Sequence, residues 1–326
     1  MDIRDRRSLR QSARAQLAAA SGTPKQVALI YAVVSSLLAL VATLVSLLLS
    51  DRIADTGGLS NLGLRSVLST IQYILPFVQV LVLMGMDLGY QQAMLNVTRS
   101  RPAHNRNLLR GFYLFWPLLR TIVMQYVIYL GIIFISLYAS TFIFSILPLS
   151  RNFYAVMEPY LSGTAVMDEA AALQAIPTMI PLVLICILVC CALLLPKIYQ
   201  FRMANYCLLD SSRPGAIAAL GQSRTMMQGN RMTLFRLDLD FWWFYGLEIL
   251  ITLVAYGDLL LPMVGVTFPW SATVSYFLFY ILSLVMQISI YYLFMNRVNV
   301  TYAAFYEAIR PRPQENGAVL GNIFDM

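Results

Sequence analysis

One carboxylate of the sequence falls inside an apolar stretch. Glu248 stands between Asp240 and Asp258, near the middle of that stretch. An ionised side chain at the centre of a bilayer costs about 2.5–3.5 kcal/mol, so such residues usually face a helix bundle or a cavity. Tyr245 and Thr252 lie at helical spacing on the same face. The pattern predicts a site for a proton, a cation or a polar substrate. A protonated, hydrogen-bonded glutamate that fixes helix packing explains it equally well.

Glutamines in other apolar stretches extend this candidate site. Gln72 and Gln79 are seven residues apart and would share a helical face, and Gln125 and Gln287 lie in two further stretches. Interhelical amide hydrogen bonds, worth about 0.6 kcal/mol each, are the favoured explanation of the glutamines. The predicted intramembrane polar site comprises Glu248, Tyr245, Thr252, Gln72, Gln79 and Gln125.

The sequence contains no recognisable catalytic or metal-binding arrangement. His104 is the single histidine, and no H-E-x-x-H, glycine-rich phosphate loop or G-x-S-x-G motif occurs. Of the four cysteines, three fall within one apolar run and Cys207 follows it, which is typical of small buried apolar residues. We therefore expect a protein that is not an enzyme and that uses no metal or cofactor.

The composition places these residues in a membrane protein. Hydrophobic residues make up 59% of the chain and charged residues only 12%, with a mean hydropathy of +0.68. Soluble domains carry about 25% charged residues. A water-facing surface cannot be built from so few charges, so the apolar excess must face lipid. These values predict one all-α membrane domain.

Six apolar runs are long enough to cross a bilayer, for which about 18 residues with few charges suffice. The first run is longer than the usual core of a cleaved signal peptide, so we expect it to remain as a span. The fifth run is the weakest because Glu248 interrupts it. The predicted spans cover residues 27–49, 66–86, 121–147, 176–196, 240–257 and 270–295.

The basic residues predict the orientation of these spans. Of the 23 Lys and Arg residues, all but three lie in the N-terminal arm (1–26), in two alternate loops and in the C-terminal segment. Basic connections stay in the cytoplasm. The pattern therefore predicts a multi-pass cell-membrane protein with both termini in the cytoplasm. The segment 311–326 is expected to form a polar, disordered tail.

The N-terminal arm has a helical pattern of its own. Arg6, Arg10 and Arg14 occupy one row, beside a row that begins at Leu9. This suits a helix on the membrane surface whose arginines contact anionic lipid headgroups. A solvated arm that only sets topology fits equally well. The expected partners are the bilayer, anionic headgroups and a protein at the cytoplasmic loops, with no nucleic acid.

The even-numbered spans share an ending. Each continues past the membrane to an Arg-Pro pair, at Arg101-Pro102, Arg213-Pro214 and Arg310-Pro311. The residues before the first two pairs are also alike, reading MLNVTRSRP and CLLDSSRP. This similarity predicts three two-span hairpins in tandem, as a parallel repeat with its axis along the membrane normal.

Two motifs resemble a known family. Residues 219–231 read ALGQSRTMMQGNR and residues 300–307 read VTYAAFYE, and the arginine-rich opening is also similar. These segments resemble the bacterial integral membrane proteins grouped as domain of unknown function 975. The resemblance implies a bacterial cell-membrane protein and transfers no catalytic residue. Asp240 and Glu248 depart from the family pattern, where small or apolar residues are expected.

Two functions from different classes are consistent with these features of the sequence. The first is a non-enzymatic scaffold, regulator or accessory subunit whose basic loops contact headgroups or a protein, with the loop 197–236 as the expected partner surface. The alternative is a transporter or exporter of small solutes or peptides that uses a polar site around Glu248. An enzyme is the least favoured.

Overall fold

The computed structural model describes residues 6–55, 62–163, 169–211, 215–266 and 268–311, and all of its regular elements are helices. This confirms the predicted all-α class. The helices are α1 (Arg6–Ala18), α2 (Pro24–Asp55), α3 (Leu62–Thr98), α4 (Asn107–Tyr113), α5 (Phe115–Ile146), α6 (Leu149–Leu161), α7 (Glu169–Phe201), α8 (Ala204–Asp210), α9 (Ala216–Met226), α10 (Arg231–Asp240), α11 (Trp242–Ala255), α12 (Gly257–Met263), α13 (Ala272–Ile290) and α14 (Asn296–Ile309). A π-helical turn, Tyr291–Met295, joins the last two. The predicted polar tail lies outside the described residues, apart from Pro311.

Five helical segments of the described chain are long and apolar enough to cross a bilayer, and they coincide with five of the predicted spans. At most 22% of each apolar window is buried inside the protein, and none of the second and fourth windows is buried. Long helices with so many exposed apolar side chains suit contact with lipid, because exposing these side chains to water would be unfavourable. The five segments are Pro24–Ile53, Gly63–Thr98, Phe115–Ile146, Pro177–Asp210 and Ala272–Ile309.

The fifth predicted span, 240–257, corresponds to α11 and ends at a sharp bend. α11 ends at Ala255, and α12 continues from Gly257 after a bend of 77°. The 14 residues of α11 extend about 21 Å, less than the hydrocarbon thickness of about 30 Å. At the break, a Cβ on Gly257 would lie 2.7 Å from the ring of Phe279 in α13. The pair is either a broken span or a re-entrant loop, so the described residues contain five or six segments that are long and apolar enough to cross a membrane.

The chain forms two compact units. The first comprises residues 1–118, 205–214 and 232–326. Within it, α2 packs on α3, α11 packs on α13, and α14 packs on both α1 and α3. Its largest fully buried side chains include Tyr90, Met94, Leu208 and Phe305. These residues lie beyond the most apolar windows of the long helices. The core of this unit therefore sits at one end of its spans.

The second unit comprises residues 119–204 and 215–231. Its helices α5 and α7 meet where the ring of Tyr129 lies 6.4 Å from that of Phe201. α9 packs on α7, where Phe201, Ala204 and Leu220 form a small core, and Ser223 donates a hydrogen bond of 2.9 Å to the carbonyl of Gln200. Gly229, between α9 and α10, takes the left-handed conformation (φ +78°) that is common just beyond helix C-termini.

One end of the first unit brings the basic segments together. Ser21 and Thr23, after α1, hydrogen-bond to Ala103, and Arg6 reaches Asp240 at the end of α10. We call this end the basic face: α1, residues 99–106, α8, α10 and α14. These segments were predicted to share one side of the membrane, and in the structure they are in contact. Which side they occupy, and whether the hairpins form a repeat, stay predictions.

Candidate functional site

Three helix ends of the basic face meet in one ion-pair cluster, formed by Arg99, Asp210, Glu307 and Arg310. Arg99 follows α3, Asp210 ends α8, and Glu307 and Arg310 lie at the end of α14. Nη1 of Arg99 lies 2.8 Å from Oδ1 of Asp210, and its Nε donates to Oε1 of Glu307 at 2.6 Å. Nε of Arg310 lies 2.9 Å from Oδ2 of Asp210. The ends of three segments distant in sequence are thus joined by two cations and two anions.

Burial makes the ion-pair cluster stronger than an exposed one. The side chains of Asp210 and Arg99 are only 14% and 20% exposed. Burial alone would lower the pKa of Arg99, but hydrogen bonds to Asp210 and Glu307 outweigh it and raise the pKa above its ordinary value. Arg99 therefore keeps its charge at all physiological pH values. Removing one of the four side chains would leave an opposite charge partly buried and without full compensation.

Aromatic residues surround the ion-pair cluster. Tyr306 donates a hydrogen bond of 3.1 Å to Oδ2 of Asp210, and its ring stacks on Tyr206 with centroids 5.2 Å apart. Cys207, the residue after Tyr206, is 1% exposed. The rings exclude water from one side of Asp210, so its orientation is fixed by both hydrogen bonding and packing.

Two further contacts join α10 to neighbouring helices. Tyr302 donates a hydrogen bond to Asp238, and its hydroxyl lies 2.7 Å from that of Tyr245. Asp240 accepts from Nη1 of Arg6 at 3.0 Å, and Arg10 lies 3.7 Å away. The headgroup contacts predicted for Arg6, Arg10 and Arg14 are untested and stay a prediction. Arg14 is exposed, whereas the first two arginines point to a carboxylate.

Glu248 lies in α11, and its side chain faces α13 and the π turn. Its Oε2 accepts from the hydroxyl of Tyr291 at 3.5 Å, a long bond. The hydroxyl of Thr252 donates a hydrogen bond of 3.0 Å to the backbone carbonyl of Glu248 rather than to its carboxylate. Tyr245 is engaged with Tyr302. Of the residues predicted to share the face of Glu248, neither forms a described hydrogen bond to its carboxylate.

The structure instead brings other helices to Glu248. Tyr31 of α2 stacks on Tyr291 with ring centroids 6.2 Å apart, and it lies within electrostatic reach of both Asp87 and Glu248. Asp87 also accepts 3.0 Å from Gln91. We call Tyr31, Asp87, Glu248 and Tyr291 the intramembrane cluster. It begins where the π turn interrupts the last span, and such turns are frequent at functional sites.

The predicted glutamines make other contacts. Gln72 donates a hydrogen bond of 3.0 Å to the hydroxyl of Ser50, which joins α3 to α2. Gln125 donates 3.5 Å to the carbonyl of Phe201, joining α5 to α7. Gln79 is half-buried. Two of the three therefore form the interhelical bonds that amides commonly make in membranes.

Sequence reasoning missed both clusters in part. The predicted second span, 66–86, ends just before Asp87, and the predicted first span, 27–49, contains Tyr31, but neither residue was singled out as a candidate. Asp210 was noticed only within CLLDSSRP. The shared Arg-Pro endings were the one signal that could have pointed to the ion-pair cluster, because helices that stop in the same way on the same side have ends at the same level.

The described residues contain no group of three His, Cys, Asp or Glu side chains that could hold a metal ion. The structure places the ionisable Glu248 beside Tyr291, and the ion-pair cluster joins the helix ends of the basic face.

Comparison with known proteins yields a family. The family model described as protein of unknown function (DUF975) matches residues 1–313. The chain belongs to this family. No curated protein and no solved structure matches the chain. The resemblance drawn from the sequence is therefore confirmed, and the matched range includes both clusters.

Membership in the DUF975 family and the five or six apolar helices make this a membrane protein of an uncharacterised family. The family description carries no activity. Function must therefore be argued from the geometry of the basic face and of the intramembrane cluster.

Proposed function

We propose that this protein is a non-enzymatic scaffold, regulator or accessory subunit of a bacterial cell membrane, and that its basic face is the surface that binds a protein partner. In this proposal both termini and the basic face lie in the cytoplasm. The observation that carries it is the ion-pair cluster, which joins the ends of α3, α8 and α14 into one rigid surface.

The distribution of burial supports this proposal. The core of the first unit lies at the basic face, whereas the apolar windows of its spans bury few side chains. A chain whose ordered core sits at one end of its spans is suited to presenting that end. α10 adds exposed apolar side chains there, with Met232 59% and Leu239 52% exposed. Exposed apolar residues on a charged surface are typical of protein–protein contacts.

A photo-crosslinking experiment tests the partner surface. A photoreactive amino acid is placed at Met232 or Leu239, and at Leu48 in α2, which is 67% exposed, as the lipid-facing control. We expect a discrete protein adduct in living cells from the α10 positions only, because lipid surrounds Leu48. Mass spectrometry identifies the adduct.

A second variant links the adduct to the ion-pair cluster. Arg99→Ala in the crosslinking background should reduce the adduct several-fold by loosening the ends of α3, α8 and α14, while Arg52→Ala, an exposed arginine of α2 outside the basic face, should leave it unchanged. Adducts of the same kind from Leu48, or none from α10, would remove the scaffold proposal.

A second candidate, a small-solute or peptide transporter, is favoured by the intramembrane cluster. Two carboxylates, Asp87 and Glu248, lie near Tyr31, beside a π turn and a helix broken after Ala255. Broken helices with ionisable residues mark binding sites in many transporters. The transporter needs water to reach Glu248.

Cysteine labelling measures that water access. With the four native cysteines replaced by serine or alanine, Glu248→Cys is exposed to a membrane-impermeant maleimide in intact cells and in inverted vesicles. Leu250→Cys, on the 43% exposed side of the same helix, is the matched lipid-facing control. Labelling of Glu248→Cys well above the control supports a transport path. Equal, negligible labelling from both sides would eliminate it.

A further inference from the structure

A cavity of about 790 Å³ lies in the first unit beside α4. Its polar lining comes from α3, α4 and the residue after α8, and its apolar lining from α4 and α8. The lining residues are Gln92, Arg106, Asn107, Leu109, Arg110, Tyr113, Leu114, Leu209 and Ser211. Cavities of about 300–1,000 Å³ commonly hold small ligands. The lining contains two arginines and no acidic residue.

The segment that supplies most of the cavity lining is basic. Residues 88–157 contain no Asp or Glu, although they include six arginines. Arg106 and Arg110 are four residues apart, so both point to one side of α4. Arg110 donates from Nε and Nη1 to the amide oxygen of Gln92 at 3.2 Å each, with the Gln92 amide oriented to accept them. That orientation fixes the guanidinium at the cavity wall.

One donor in the lining has no partner. The Nδ2 of Asn107 is buried and makes no hydrogen bond within the described part of the chain. A buried donor without an acceptor costs about 1–3 kcal/mol, so such groups usually face a ligand or water. Two guanidinium groups and an amide donor suit a phosphate, since a phosphate offers several acceptor oxygens and a negative charge.

The surroundings of the cavity point to lipid as the source of the phosphate. α4 connects two membrane-crossing helices, so it lies at the level of the headgroups. Leu109 and Tyr113 line the cavity and are 61% and 86% exposed, and Trp116 beyond them is 67% exposed. Such side chains beside arginines are typical of a helix lying in the membrane interface. A soluble anion would gain nothing from them.

We propose that the cavity formed by Gln92, Arg106, Asn107 and Arg110 binds the phosphate headgroup of an anionic phospholipid, with the acyl chains passing beside Leu109 and Tyr113. The site differs from the arginine row of α1, where Arg6 and Arg10 already face Asp240. It is independent of the proposed scaffold function.

Lipid binding is measured by mass spectrometry of the intact chain in mild detergent, titrated with phosphatidylglycerol and, separately, with phosphatidylcholine. Near a membrane each arginine contributes roughly fivefold in affinity, so Arg106→Gln with Arg110→Gln should weaken the first phosphatidylglycerol site about thirtyfold. The matched control is Arg101→Gln with Arg224→Gln, two exposed arginines outside the cavity. The control changes the net charge equally and should leave that first site unchanged.

Two further arms define the site. Asn107→Ala, which keeps the net charge, should weaken phosphatidylglycerol binding several-fold. If the double variant Arg106→Gln with Arg110→Gln does not fold, Arg106→Gln alone takes its place in the binding measurement. Inorganic phosphate at excess should not displace the lipid. Equal weakening in both double variants would reduce the effect to diffuse attraction and overturn the proposal. Displacement by phosphate would overturn the assignment to lipid.

Discussion

Replacing Arg99 with alanine is expected to destabilise the basic face by about 3 kcal/mol. Breaking a buried ion pair by removing one partner costs about 3–5 kcal/mol, because the remaining charge is left uncompensated. Arg99 pairs with both Asp210 and Glu307 but is 20% exposed, which places the effect at the lower end. Arg310 still compensates Asp210, so Glu307 loses the most.

Cys207 provides a direct readout of this loss. It is 1% exposed and lies three residues before Asp210. With Cys186, Cys190 and Cys191 replaced by serine, the rate at which a maleimide modifies Cys207 reports how often this part of the structure opens. A destabilisation of about 3 kcal/mol should increase that rate about a hundredfold.

A double-mutant cycle separates pairing from packing. Asp210→Ala alone should also accelerate modification. The double variant Arg99→Ala with Asp210→Ala should be less unstable than the sum of the two, since each single change already removes the contact between the two side chains and the double variant loses it only once. Arg101→Ala, two residues along the chain and exposed, should change little. Additive effects would mean that the two side chains do not interact.

The sequence predicted the membrane-crossing helices well because length and apolarity alone decide whether a segment can cross a bilayer. Five predicted spans correspond to described helices, and the weak fifth corresponds to α11, the first helix of a bent pair. The bend falls at Tyr256-Gly257, just before Asp258, where the predicted fifth span ends, but the continuation of the chain as the helix α12 was not predicted. Glycine there admits Phe279 of α13, a contact between segments that periodicity does not reveal.

The candidate sites were predicted only in part because polar partners in a membrane protein come from different helices. Glu248 was singled out for its position, yet its neighbour Tyr291 lies 43 residues away and belongs to a π turn. Helical spacing identified Tyr245 and Thr252 as sharing its face, but spacing does not determine which hydrogen bonds form. Tyr245 instead bonds with Tyr302.

α4 depends on three glycines. A Cβ on Gly111 would overlap the backbone carbonyl of Gly85 and would lie 2.9 Å from the backbone nitrogen of Gly89. A Cβ on Gly89 would in turn lie 2.5 Å from the carbonyl oxygen of Asn107. The backbones of α3 and α4 are therefore in direct contact, as glycine pairs permit between helices in membranes.

Gly111→Ala is expected to cost at least about 3 kcal/mol and to displace α4 from α3. Overpacking a well-packed site usually costs about 1–3 kcal/mol, and here the clash is with backbone, which cannot change rotamer to relieve it. Displacement of α4 separates Arg110 from Gln92 and opens the cavity. The variant should therefore lose the first phosphatidylglycerol site together with its stability, both measured on the purified chain in detergent.

The matched control is Gly131→Ala, because a Cβ at Gly131 in α5 meets nothing within 4 Å. Alanine is favoured over glycine inside a helix by about 0.5–1 kcal/mol, so this variant should be unchanged or slightly more stable. If the two glycine-to-alanine changes alter stability in opposite directions, the loss in Gly111→Ala comes from the contact between α3 and α4. If Gly111→Ala retained both normal unfolding and normal lipid binding, α4 would not pack on α3 through these glycines, and the cavity would lose the wall that Gln92 and Arg110 form.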